Sequence, residues 1–186
     1  PLGPSLRQTA AAVRHFEESA RIGRRLMALD SKESQIRFNH PISAWRLGDA
    51  LRGADPLRAL AAYDEAIAIL RPLTVKRFSR DLPLVAALAE STFALRAVGR
   101  TSEIAPRLRE ASEICQPYRE RSRVVFETCR EFLSRAEAGV ALAGGRPKEA
   151  VAVHRAWLSL VDNDTNIKEA DEDLYSAYQL TLRYHL

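Results

Sequence analysis

Three glycines, Gly53, Gly99 and Gly145, stand 46 residues apart at each step, and each separates two runs of helix-forming residues. A constant spacing of this kind restricts a chain to stacked copies of one supersecondary unit, each burying the face that its neighbour cannot cover alone. The clearest unit is Ser43 to Leu73. Its first helix carries Trp45, Leu47 and Leu51 beside Gly48, which is small enough to let a neighbouring helix approach closely. Gly53 and Ala54 end that helix. Asp55-Pro56 opens the next one, since Asp is a strong N-cap and Pro at the first helical position gives up no needed N–H. Ala59, Tyr63, Ala66, Ile67 and Leu70 then fall at three- and four-residue steps on one apolar face, and Pro72 closes the pair. The bulky position of the second helix recurs as Tyr63, Leu108 and His154.

The remaining chain follows the same plan. Leu6, Ala10, Val13, Phe16, Ala20 and Met27 give an amphipathic helix over 6–29, rich in arginine on its other side. A helix is expected from about Glu33 to Arg52, with Pro41 marking either a kink or the true start. A link over 74–80 precedes a helix over about 81–98, whose apolar face is Leu84, Val85, Leu88 and Leu95. The turn at Gly99 leads to a helix over about 103–118. A long helix from about Arg119 to Leu142, the Gly144-Gly145-Arg146-Pro147 turn and a helix to about Leu160 make the last pair. Asn163 to Asn166 reads as a loop before a capping helix over about 167–184. The expected fold class is therefore all-α: a right-handed superhelical stack of antiparallel hairpins (about 33–72, 81–118 and 119–161) in a single domain of seven to eight helices. Residues 1–5 read as a possible tag remnant.

Composition agrees with this and removes other classes. The 186 residues are 46% hydrophobic and 28% charged, as in an ordinary globular protein. Charge interrupts every apolar run well short of the roughly 20 residues that cross a bilayer, and no basic-then-apolar signal pattern is present; the cytoplasm is the expected compartment, with a fragment of a membrane-tethered protein as the alternative. Cys115 and Cys129, each among apolar neighbours, read as free buried thiols. The net charge of +4 is uneven, with a basic start (1–52) and an acidic end (162–186). Such an arrangement can steer a partner or stack copies head to tail, although charged solvent faces account for it as well.

No catalytic set emerges. There is no phosphate-cradling glycine loop, no C-x-x-C and no H-E-x-x-H, and the four histidines are scattered over separate elements. The acidic clusters Glu17-Glu18 and Glu169 to Asp173 lack metal-ligand spacing. No cofactor, metal or enzyme activity is expected.

Leu47-Gly48, then Ala59, Tyr63 and Ala66, then Pro72 together resemble the tetratricopeptide (TPR) hairpin. The period exceeds the roughly 34 residues of a TPR unit, and 40-odd-residue units look like the TPR arrays of bacterial eukaryotic-like serine/threonine kinases. That likeness rests on Ala28-Leu29-Asp30, Ser43 to Asp49 and Ala59 to Tyr63; no kinase motif is present. The resemblance implies a concave surface lined by the first helix of each hairpin. Projected onto this chain, it yields Trp45, Asp49 and Arg52, then Ala89, Phe93 and Arg96, then Arg135 and Leu142. Trp45 and Phe93 would act as apolar anchors, and Arg52, Arg96 and Arg135 as bidentate handles for carboxylate or phosphate. Packing of Trp45 and Phe93 against neighbouring helices is the competing assignment. The Lys/Asn set that clamps chaperone C-termini in some TPR proteins is not matched. The implied role is a non-catalytic scaffold binding a peptide or protein segment, in the manner of a regulatory module of a bacterial signalling protein. A sensor of a small molecule or peptide that controls assembly is the alternative, and a nucleic-acid-binding regulator a lesser one. Tyr175, Tyr178 and Leu182 would either cap the stack or pair two copies as a homodimer.

Overall fold

The computed structural model describes residues 6–29, 34–73 and 78–162, and every regular element among them is helical. In chain order these are α1 (Leu6–Leu29), α2 (Ser34–Leu51), α3 (Pro56–Leu70), α4 (Phe78–Ala97), α5 (Ile104–Cys115), the single turn α6 (Tyr118–Arg121), α7 (Arg123–Ala143) and α8 (Pro147–Asp162), with short 3-10 turns at Arg71–Leu73 and Thr101–Glu103. Two compact units divide the chain, residues 1–136 and 137–186, and the division falls inside α7.

In the first unit α1 packs on α2, α2 on α3, α3 on α4 and α4 on α5, and α2 also touches α4. The Asp55 carboxylate accepts from the Arg58 N–H at 3.1 Å and caps α3, with Pro56 at its first position. Gly48 in α2 lies against the ring of the fully buried Tyr63 in α3, so the smallest residue sets the separation of this hairpin. The most enclosed helix is α4. Leu84, Val85, Ala86, Ala87, Leu88 and Ala89 are each at most 1% exposed, so it is covered all round rather than along one stripe. Its buried hydroxyls are satisfied locally: Ser91 donates to the Leu88 carbonyl and Thr92 to that of Ala89. In the second unit the end of α7 and the start of α8 share a small cluster of Ala138, Ala141 and Ala150, with Leu142 and Val153 against it.

Several boundaries differ from the sequence expectation. Helix α2 begins at Ser34 and continues through Pro41, so His40-Pro41 is not its start. Helix α4 begins at Phe78 rather than near Asp81, and it contains Pro83 in its early turns. The long helix expected from Arg119 is interrupted: Ser122 is extended (φ −159°, ψ 104°), which separates α6 from α7. The expected third hairpin, 119–161, therefore contains this break. The expected loop over 163–166 and capping helix over 167–184 lie outside the described residues.

The three spaced glycines are not equivalent. Gly99 and Gly145 have φ of +78° and +69°, and both close their helix with the same paired bonds. Gly99 N donates to Arg96 O and Arg100 N to Leu95 O, while Gly145 N donates to Leu142 O and Arg146 N to Ala141 O. This is the Schellman arrangement, which favours glycine at the left-handed position. Gly53 has no positive φ. Gly99→Ala is thus expected to cost about 1 kcal/mol in urea unfolding, and Gly53→Ala close to nothing. Equal effects at the two sites would contradict the difference in backbone.

Across α1, α2 and α3, Glu65 collects Arg24 (2.7 and 2.8 Å) and His40 Nε2 (3.0 Å). Burial pushes its carboxyl up, but the bonds from His40 and Arg24 together outweigh burial and hold it at about 2. The folded carboxyl is then more acidic than the unfolded one, so its contribution is complete above about 4.5 and lost as pH falls towards 2. Glu65→Gln is expected to lose about 2 kcal/mol at neutral pH, with the deficit closing across that acid range. A deficit independent of pH would refute this assignment.

Cys115 and Cys129 are free and buried. The hydrogen bond between them, together with burial, holds the Cys115 thiol far above the ordinary thiol range.

Candidate functional site

The site grows from one periodic feature repeated on three helices. Trp45 and Asp49 of α2 and Arg52, the residue just after that helix whose N–H still bonds Gly48 O, stand at steps of four and three, and α4 repeats the steps with Ala89, Phe93 and Arg96. From α7, Phe132 and Arg135 join them three residues apart. Packing of α2 on α4 brings the first two sets together.

At the centre is Glu90, whose side chain is only 3% exposed. Arg52 and Arg135 both donate to it, Arg52 Nη1 to Oε2 and Arg135 Nη2 to Oε1. Each guanidinium also lies over an aromatic ring: Arg52 over Phe93 at 4.9 Å and Arg135 over Phe132 at 5.3 Å. Arg96 approaches the same Phe93 ring at 5.9 Å. A planar cation held by a buried carboxylate and stacked on a ring retains little freedom, so these arginines are preorganised. Both Arg52 and Arg135 keep 39% of their side-chain surface exposed, and Arg135 also lies 3.9 Å from the Glu131 carboxylate.

The other predicted residues have more structural surroundings. Trp45 is 6% exposed; its ring meets Phe132 edge-on at 6.0 Å and 74°, and Arg46 covers it at 4.1 Å. Its buried Nε1–H has no acceptor among the described residues. Asp49 accepts from the Tyr63 hydroxyl at 2.7 Å. Burial lifts the Asp49 carboxyl above its usual range against the pull of that bond, while burial and the neighbouring Asp49 push the Tyr63 phenol up strongly. Ala89 is fully buried in α4. Leu142 belongs to the cluster of the second unit. The structure thus brings Trp45, Arg52, Phe93, Arg96 and Arg135 into one patch with Asp49 at its edge.

Sequence reasoning missed Glu90 and Phe132. A signal for Glu90 was present, because it is the lone charge between Leu82 and Leu95. A carboxylate in such a run is buried and must find a cation. Phe132 carried no comparable signal.

Chemically the patch offers guanidinium donors and aromatic faces, while the carboxylates of Asp49 and Glu90 are already engaged by Tyr63 and the arginines. Among the described residues no group of three His, Cys, Asp or Glu could hold a metal ion, and no helix is long and apolar enough to cross a membrane. His15 is exposed, His40 buried and His154 half-buried, each on a different helix. Comparison with protein-family models, with curated proteins and with solved structures finds no match to this chain.

Proposed function

We propose that the chain is a non-catalytic interaction scaffold, a TPR-like right-handed stack that binds a peptide or protein segment across the α2–α4–α7 face. The observation that carries this reading is the clasp of Arg52 and Arg135 on buried Glu90. It holds two half-exposed cations on rings beside Arg96, which suits carboxylate groups flanked by apolar side chains. The sequential packing of α1 to α5, with α2 touching α4, supports the stack. The link to a bacterial signalling module rests on the resemblance over residues 20–72 alone.

Peptides selected on the full chain from a random library should be enriched in Asp or Glu next to Leu, Phe or Tyr. Their affinity should fall at least about tenfold in Arg96→Glu and weaken with added salt. The change reverses a charge in the last turn of α4, so its circular-dichroism melt is expected to fall by only a few degrees and the fold to persist. Selected peptides that bind Arg96→Glu as well as the wild type would sink the assignment. The sensor alternative is favoured by a separate feature, a cavity between α1, α2 and α3.

A further inference from the structure

A cavity of about 300 Å³ lies among α1, α2 and α3. Leu47, Leu51 and Ala62, all nearly buried, form its apolar floor. Two ion pairs bracket it, Glu17 with Arg58 and Arg24 with Glu65. Both join α1 to α3, and along each helix the two rungs are separated by two turns, about 10 Å.

The rungs differ in how firmly they are held. Arg24 grips Glu65 through Nε and Nη2, His40 Nε2 donates to the same carboxylate, and Glu65 is 24% exposed. Arg58 reaches Glu17 through a single nitrogen, and the two side chains are 57% and 37% exposed. One rung is a fixed wall. The other can open at little cost, since an exposed pair of this kind is worth less than about 1 kcal/mol.

We propose that this cavity binds a free apolar α-amino acid, which inserts into the Glu17–Arg58 pair. The ligand carboxylate takes Arg58, the ligand ammonium takes Glu17, and the side chain lies on Leu47, Leu51 and Ala62. Charge selects this class. A simple anion on Arg58 would leave Glu17 unpaired, and a simple cation on Glu17 would leave Arg58 only its longer contact with Asp55 at 4.0 Å. A zwitterion leaves every charge paired while the apolar floor loses its water. The volume is at the lower end for small-molecule sites, which suits a single amino acid better than a nucleotide or large cofactor. The proposal deepens the sensor alternative and uses none of Arg52, Phe93, Arg96 or Arg135. Its failure leaves the peptide reading standing, and the reverse holds too.

The test is calorimetric titration of the full chain with L-leucine, L-valine and L-methionine, beside 3-methylbutylamine and 4-methylpentanoate, which each keep one charge of leucine. The expected result is saturable binding of at least one amino acid, with either singly charged analogue at least about tenfold weaker. Arg58→Gln and Glu17→Gln should each weaken it by a similar factor while their thermal melts stay close to wild type. If one variant unfolds, the other and the analogue series still decide. No saturable heat with any of the three amino acids overturns the proposal. So do analogues that bind equally well, or binding unaffected in both variants.

Discussion

Gly48→Leu is expected to lower the unfolding free energy by about 4 kcal/mol, a large share of the roughly 5–15 kcal/mol that holds a domain together. A Cβ at this position would already stand 2.8–2.9 Å from three ring atoms of Tyr63. That ring cannot turn aside, because Tyr63 is fully buried and its hydroxyl is fixed to Asp49 at 2.7 Å. Gly48→Ala should fall between, since better helix propensity returns roughly 1 kcal/mol of the cost of the clash. Urea unfolding of Gly48→Ala, Tyr63→Leu and the double variant measures the contact. The two changes are expected to couple favourably by at least about 1 kcal/mol, as the smaller side chain opens room for the new methyl. Strict additivity would mean that α2 and α3 do not meet at this point.

The second large effect is at Glu90, where Glu90→Ala is expected to lose about 3 kcal/mol. The variant leaves Arg52 and Arg135 facing one another without the carboxylate that both donate to. Their 39% exposure allows partial rehydration, which keeps the loss at the lower end for a broken buried pair. Replacing the whole clasp, Glu90→Leu with Arg52→Met and Arg135→Met, should return stability to within about 1 kcal/mol of wild type, because none of the three clasp charges is then left without its partner. The same triple variant should lose binding of the selected peptides. Stability and recognition thus separate within one set of variants. If Glu90→Ala costs no more than an ordinary surface change, about 0.5 kcal/mol, the clasp is absent in solution.

Much of the helical layout is legible in the residues themselves. Local chemistry acts within a few positions, so the Asp55-Pro56 start and the glycines at 99 and 145 mark their boundaries whatever surrounds them. Residues 6–29 and 147–160 show the same legibility through their amphipathic period. The boundary differences have a common cause. Proline at 41 has the local chemistry of a kink or a start, yet tertiary packing carries the helix through it, and no residue-level signal announces the extended Ser122. The face of the candidate site came from projecting the TPR resemblance onto the chain, and Trp45, Arg52, Phe93, Arg96 and Arg135 do lie near one another.

What periodicity could not supply was the state of those residues once they met. A helical wheel places Trp45 on a face, yet only the position of Phe132, 87 residues further on, decides that its ring is covered. The same wheel treats Arg52 and Arg135 as open handles. Only the approach of α4 between them makes Glu90 their shared partner, and only close packing around α4 gives that carboxylate its low exposure. The sequence by itself determined where most helices start and which faces are apolar, since these depend on neighbours three or four positions away. The tertiary structure decided which charges are spent and which remain exposed, because burial and ion pairing are properties of distances between segments that the chain order does not contain.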